Sequence, residues 1–187
     1  MLHFDDIVFG PIFSRRLGSS LGVNLLPSKG KLCNFDCVYC ECGWNKDGIA
    51  ERVFPRLEEV KAALEEKMSK AASEGVPVDS ITFSGNGEPT MNPDFPEIID
   101  VTLELRDRYF PDAKVSVLSN ATLIGRPAVA EALMKVDNPI LKIDASSDSL
   151  IAQINKPVGR YRLDEVVEAM MKFEGLFVLQ TMFLKSP

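Results

Sequence analysis

Histidine is almost missing: His3 is the only one in 187 residues. No imidazole stands near the cysteines to complete a zinc site, and His3, close to the amino terminus, is expected to be structural or incidental. Long apolar runs are missing too. None approaches the ~20 residues needed to span a bilayer. The start, Met1-Leu2-His3-Phe4-Asp5-Asp6, lacks the basic flank and apolar stretch of a signal peptide. A basic excess is also absent, with 21 Lys plus Arg against 27 Asp plus Glu and a net charge of −6. That balance counts against a dedicated nucleic-acid binder, although a local basic patch can coexist with an acidic whole. Repeats, low-complexity stretches and interdomain linkers are not found, so residues 1–187 read as one domain, long enough to bury a core. A cytoplasmic, reduced setting is expected, and it suits cysteines used as metal ligands better than as disulfides.

What is present is concentrated in Cys33-Asn-Phe-Asp-Cys37-Val-Tyr-Cys40, three thiols in eight residues. Clustered thiolates suit soft metals and iron–sulfur cubes. A cube held by three cysteines leaves one iron without a protein ligand, and an open coordination position is where metal chemistry happens. Two structural alternatives stand beside this: a zinc knuckle with Cys42 as fourth ligand, and a four-cysteine electron-transfer cluster. Cys42 follows Cys40 by only two residues, an awkward reach for another corner of one cube, and it reads as a free thiol.

Along the chain, strands and helices alternate. Leu21–Leu26 is the first strand. Leu57, Val60, Leu64, Met68 and Ala71 recur at helical spacing, predicting a helix over 56–73 that Gly75 and Pro77 end. Ser80–Phe83 is the second strand. A helix opened by Asn92-Pro93 carries Ile98, Val101, Leu105 and Tyr109 on one side. Lys114–Leu118 is the third strand, a short helix covers about 127–136, and Pro139–Ile143 is the fourth strand. Leu163, Val166, Val167 and Met170 give the last helix, and Leu176–Leu184 is the fifth strand. Strands joined through helices imply parallel pairing. Right-handed crossovers then make either an open doubly wound sheet or part of a β/α barrel. Polar residues follow each strand, at the edge where such folds carry function: Asn34 and Asp36, Asn86 and Glu88, Ser119 and Asn120, Asp144 and Ser146.

The spacing C-x3-C-x2-C with Tyr39 before the last cysteine resembles the radical S-adenosylmethionine (SAM) superfamily. Ser84-Gly85-Asn86-Gly87-Glu88-Pro89 stands in the position of that family's Gly-Gly-Glu-Pro element, with Asn86 in place of the usual second glycine. Phe9–Gly18, Ser20–Asn24 and the cysteine loop together look like one subgroup, the proteins related to wybutosine-synthesizing enzymes. The resemblance implies a partial TIM-like barrel. It implies a [4Fe–4S] cluster on Cys33, Cys37 and Cys40, with SAM on the remaining iron. Gly85, Asn86, Gly87 and Glu88 are then cofactor-binding, glycine being needed so that backbone carbonyls can approach the bound amino group without a Cβ in the way. Tyr39 is expected near the adenine, and Asn120, Asp144 and Ser146 near the methionine carboxylate and ribose. Polar strand ends also serve as helix caps.

By the same resemblance, an electron from the reduced cluster cleaves SAM to methionine and a 5′-deoxyadenosyl radical, which abstracts hydrogen from a substrate. The cofactor carries the hard chemistry. A reductant of the flavodoxin or ferredoxin type is implied, with an RNA base, a peptide or a protein as substrate. No catalytic residue beyond the cofactor ligands is named. Arg15 and Arg16 are candidates for a substrate phosphate or carboxylate, or a solvated pair. Partial barrels of the family usually have six parallel strands, and five are counted. The expectation is therefore a barrel whose C-terminal part is missing, or an edge at Leu176–Leu184 covered by a second copy or a further segment.

Overall fold

The computed structural model describes residues 4–47 and 53–184; His3 and the last three residues of Leu184–Pro187 lie outside them. Six strands form one sheet in chain order: β1 (Val8–Ser14), β2 (Gly18–Val23), β3 (Ser80–Phe83), β4 (Lys114–Ser119), β5 (Asn138–Lys142) and β6 (Val178–Gln180). Strands β2 to β6 are parallel, and β1 pairs antiparallel with β2. Five helices intervene: α1 (Leu57–Ser73), α2 (Phe95–Tyr109), α3 (Pro127–Lys135), α4 (Asp148–Ile154) and α5 (Leu163–Met171). Because each crossover advances by one strand in the same direction, α1, α2, α3 and α5 share one face, and the sheet curves as part of a barrel rather than a doubly wound layer.

Strand alternation sorts the two faces. Leu21, Val23, Ile81, Phe83, Val115, Val117 and Leu141 form the outer layer, packed with Val60, Leu64 and Met68 of α1 and Ile98 and Leu105 of α2. Each such fully buried side chain contributes about 1.5–3 kcal/mol relative to exposure. The inner face is small and polar. Ser20 and Thr82 share a hydroxyl contact of 2.7 Å, Ser80 meets Thr82 at 3.1 Å, and Asn138 Nδ2 donates to Ser116 Oγ at 3.1 Å. These buried groups satisfy one another, so the polar layer is tolerated. Higher along the same face stand Ser84, Leu118, Asn120, Lys142 and Gln180, at the carboxyl edge.

Two expectations need correction. A sixth strand exists, β1, within the segment read as preceding the sheet. Gly10 and Pro11 interrupt its alternation, and the register slips between Phe9 and Ile12; proline is tolerated there because β1 is an edge. The hairpin turn after β1 is tied by the Ser19 N–H to Asp79 Oδ2 at 2.8 Å, beside the start of β3. Arg15 and Arg16 therefore sit exposed at the amino edge, opposite the cysteines. The fifth parallel strand is only three residues long, and Leu176, Val178, Leu179 and Phe183 are exposed on and around it. Among the described residues no helix is long and apolar enough to cross a membrane.

Candidate functional site

The cysteine loop leaves β2 and is held from two sides by backbone. On one side Leu32 bridges Gly87: the Leu32 N–H donates to Asn86 O at 2.8 Å and the Glu88 N–H to Leu32 O at 3.3 Å. On the other, Phe35 bridges Pro157, with the Asp36 N–H donating to Asn155 O at 2.8 Å and the Val38 N–H to Ile154 O at 2.9 Å. The Phe35 ring meets Tyr161 edge-on at 5.5 Å. Helix α4, which supplies this second wall, was not foreseen. Its seven residues are too few to show a period, and Ser147 caps it by accepting from the Leu150 N–H.

Cys33, Cys37 and Cys40 face one cavity of about 270 Å³, also lined by Tyr39, Gly85, Gly87, Glu88 and Asn120. Nitrogen donors aim at the sulfurs. Cys33 Sγ receives the Phe35 N–H at 3.4 Å and Asn120 Nδ2 at 3.6 Å, and Cys37 Sγ receives Asn155 Nδ2 at 3.3 Å. Such donors stabilise negative charge on thiolate ligands. Burial, then the Glu88 charge, pushes the Cys33 thiol up to about 12, so a cationic partner is needed to hold it as thiolate. Among the described residues no three His, Cys, Asp or Glu side chains close around one metal ion. Three thiols facing one cavity, with N–H donors at two of the sulfurs, are a donor set that fits a cluster with one open corner.

Cys42, expected to be a bystander, lines the same cavity, and its thiol donates to Gly85 O at 3.5 Å. A hydrogen bond from Cys42, assisted by the charge of Lys31, holds the Cys40 thiol below its ordinary value; the same bond, then burial, raises Cys42 against the pull of Lys31. Lys31 is buried, donating to Asp36 Oδ1 at 2.9 Å and to Gly43 O at 3.2 Å. Burial works to lower its ammonium, but Asp36 and the thiolates of Cys40 and Cys33 outweigh it and raise it. The sequence reading passed over this lysine; its place two residues before Cys33 was the available signal.

The glycines of this segment stand where a side chain has no room. A Cβ on Gly87, where φ is +146°, would stand 1.9 Å from Leu32 O, and one on Gly85 would stand 2.4 Å from Asn24 Oδ1. The first contact lies in the joint that fixes the cysteine loop to β3, the second at the residue that follows β2. Asn86 turns away from the cavity, donating to Phe4 O and Pro27 O, both at 2.9 Å. Glu88 is 2% exposed and accepts from Thr90 N–H at 3.2 Å, Thr90 Oγ1 at 2.5 Å, Ser119 Oγ at 2.8 Å and Asn120 N–H at 2.7 Å. Burial raises its carboxyl above the usual range. It clasps β3 to β4, with its acceptor positions occupied.

At the far wall Tyr39 donates its hydroxyl to Asp144 Oδ2, and Lys142 Nζ lies 3.3 Å from Asp144 Oδ1 and 4.9 Å from the Tyr39 ring centre. Burial works to raise the Asp144 carboxyl, but hydrogen bonds from Tyr39, Asn155 and the Met182 N–H bring it below the usual range. Burial, then the Asp144 contact, raises the Tyr39 phenol. Asp144 thus reaches the cavity through Tyr39, while Ser146 is exposed and outside it.

The UPF0026 protein MJ1312 of Methanocaldococcus jannaschii is 34% identical over 186 residues, covering 96% of this chain and 54% of the relative. A UPF0026 protein of Helicobacter pylori is 31% identical over 184 residues, covering 96% and 57%. The chain spans about half the length of the curated relatives it matches. A solved structure described as native anSMEcpe with bound AdoMet superposes at a TM-score of 0.58 with 21% identity, covering 86% of this chain and 43% of that one, a likeness of fold. The family model described as Radical SAM superfamily matches residues 28–181, which take in the cysteine loop, the glycine segment and the parallel strands β3 to β6, while β2 precedes the match. That family's cofactors are a [4Fe–4S] cluster and SAM, and the chain, with its cysteines in place, belongs to the radical SAM superfamily.

Proposed function

We propose that this protein is a radical SAM enzyme that cleaves SAM reductively and uses the product to abstract hydrogen from a substrate. The observation that carries the reading is the convergence of Cys33, Cys37 and Cys40 with Gly85 and Gly87 on one cavity at the carboxyl edge of the sheet. When bound, the reduced cluster supplies the electron for that cleavage. The chain's own residues bind and orient. Three thiols hold three corners, and Lys31 offsets their charge. The carbonyl of Gly85 faces the cavity as an acceptor for an amino group, although Cys42 engages it in this arrangement. Tyr39 offers a ring wall for adenine, and Asn120 and Lys142 offer polar contacts to the carboxylate and ribose. Asp144 and Asn86 act behind this surface, and Ser146 is given no part.

The substrate is proposed to be an RNA base, a peptide or a protein, and the electron donor a flavodoxin- or ferredoxin-type protein in the cytoplasm. The resemblance to wybutosine-related proteins favours RNA among these. Comparing the masses of small RNAs and peptides between a deletion strain and its parent would identify it.

The test is anaerobic reconstitution. The expected result is about four irons and four sulfides per chain, with a reducible cluster signal that SAM perturbs. Tight binding of one zinc, no iron and no response to SAM would overturn the proposal in favour of a non-catalytic metal-binding module.

A further inference from the structure

Asn155 belongs to no motif in the sequence, yet the cysteine loop is built around it. It is the C-cap of α4 and is 1% exposed. Its backbone does the capping: the N–H donates to Ile151 O at 2.8 Å, and the carbonyl accepts from the Asp36 N–H. The side chain is therefore free for another task. Its nitrogen lies 3.3 Å from Cys37 Sγ, 3.1 Å from Tyr39 Oη and 2.5 Å from Asp144 Oδ2. All three neighbours can accept, so the nitrogen rather than the oxygen of the amide faces them.

An amide nitrogen carries two hydrogens. The Tyr39 hydroxyl is already committed to Asp144. One Asn155 hydrogen goes to the carboxylate, and the other lies between Cys37 Sγ and Tyr39 Oη. We infer that Asn155 is a positioning residue that fixes the Cys37 corner and sets how readily the cluster accepts an electron. The inference rests on the proposed reading that Cys37 ligates an iron–sulfur cluster. An N–H donor at a ligand sulfur stabilises the form with more negative charge, which is the reduced cluster, and so raises its potential.

The experiment compares wild type with Asn155→Ser and Asn155→Asp, reconstituted anaerobically without SAM. Iron content, a circular-dichroism melt and a spectroscopic redox titration are measured on each. Both variants are expected to fold and load. The one-electron reduction equilibrium should fall about tenfold in Asn155→Ser, a shift of about 59 mV to more negative potential. Asn155→Asp should fall further, since a carboxylate oxygen replaces the donor. Potentials equal to wild type would overturn the inference. So would loss of the cluster or of the fold in both variants, which would make Asn155 a scaffold residue only. A wild-type protein that takes up no cluster would instead overturn the functional reading on which this one stands.

Discussion

Replacing Gly87 by alanine tests whether this glycine forms the joint between β3 and the cysteine loop. The new Cβ would lie 1.9 Å from Leu32 O and 2.6 Å from Leu32 C, both backbone atoms that cannot swing aside as a side-chain tip can. Reaching even 3.0 Å, the closest approach that real Cβ atoms show, requires Leu32 to retreat by at least 1.1 Å. Leu32 directly precedes Cys33, so the displacement passes to the first metal ligand. Two backbone hydrogen bonds across the joint, of 2.8 and 3.3 Å, would be strained or lost. At about 1 kcal/mol each, with about 1–3 kcal/mol for holding a side chain at a positive φ, the cost is about 3–5 kcal/mol. That is a large part of a typical total of about 5–15 kcal/mol. Urea melts and iron and sulfide counts on Gly87→Ala are expected to show that destabilisation together with reduced cluster content. Gly125→Ala is the control: nothing lies within 4 Å of its Cβ position, and its effect should stay within about 0.5 kcal/mol. Wild-type iron content and stability in Gly87→Ala would refute the joint.

Lys31→Met should cost about 3–5 kcal/mol by leaving Asp36 unpaired beside the thiolates; a melt within 1 kcal/mol of wild type would show that the pair is solvated instead. Cys42→Ala should keep wild-type iron content, whereas any one of Cys33, Cys37 or Cys40 changed to Ala should abolish SAM cleavage; cluster loss in Cys42→Ala would mean that the fourth thiol is a ligand. Asp144 is held below its ordinary range, so its contribution to stability is full above about pH 3.9, the unfolded value, and is lost as pH falls through the folded value. The stability gap between metal-free wild type and Asp144→Asn should therefore be constant from about pH 7 to 5 and narrow below about pH 4; a gap that widens in acid would reverse the assignment.

What could be read in advance was whatever repeats along the chain. Val60, Leu64, Met68 and Ala71 announce α1 because a helix buries one stripe, and Ser80–Phe83 announces β3 because a doubly covered strand is short and bounded. The C-x3-C-x2-C loop was legible because its chemistry is local. β1 was hidden by Gly10-Pro11, and β6 was overdrawn because apolar residues on both sides of a three-residue strand carry no end signal. Asn155 and Lys31 were invisible for another reason. Their meaning comes from contacts with Cys37 and Asp36 that only the folded loop creates. The fit of Gly87 against Leu32 was invisible likewise, since only the folded joint brings the two together.

The net charge of −6 gave poor guidance to the site, and the geometry explains why. Exposed charges more than about 8–10 Å apart are screened by salt, while buried ones are not. Much of the acidic surplus is on helix surfaces, as at Glu58, Glu59, Glu66, Glu104 and Asp107, where it is exposed. Inside the cavity the balance differs: Lys31 and Lys142 line it, and the carboxylate there, Glu88, is occupied by donors from Thr90, Ser119 and Asn120. Each lysine is anchored by an aspartate standing behind the lining, Asp36 for Lys31 and Asp144 for Lys142. Each ammonium is thereby held in place with the thiols or the Tyr39 ring beside it. Three thiolates brought into a low-dielectric pocket would repel one another strongly, and burial alone drives Cys33 toward its neutral form. A fixed lysine beside Cys33 and Cys40 reduces that repulsion before any metal arrives. The acidic surface therefore acts through a field that salt screens, while the cavity's own buried charges set what it can hold.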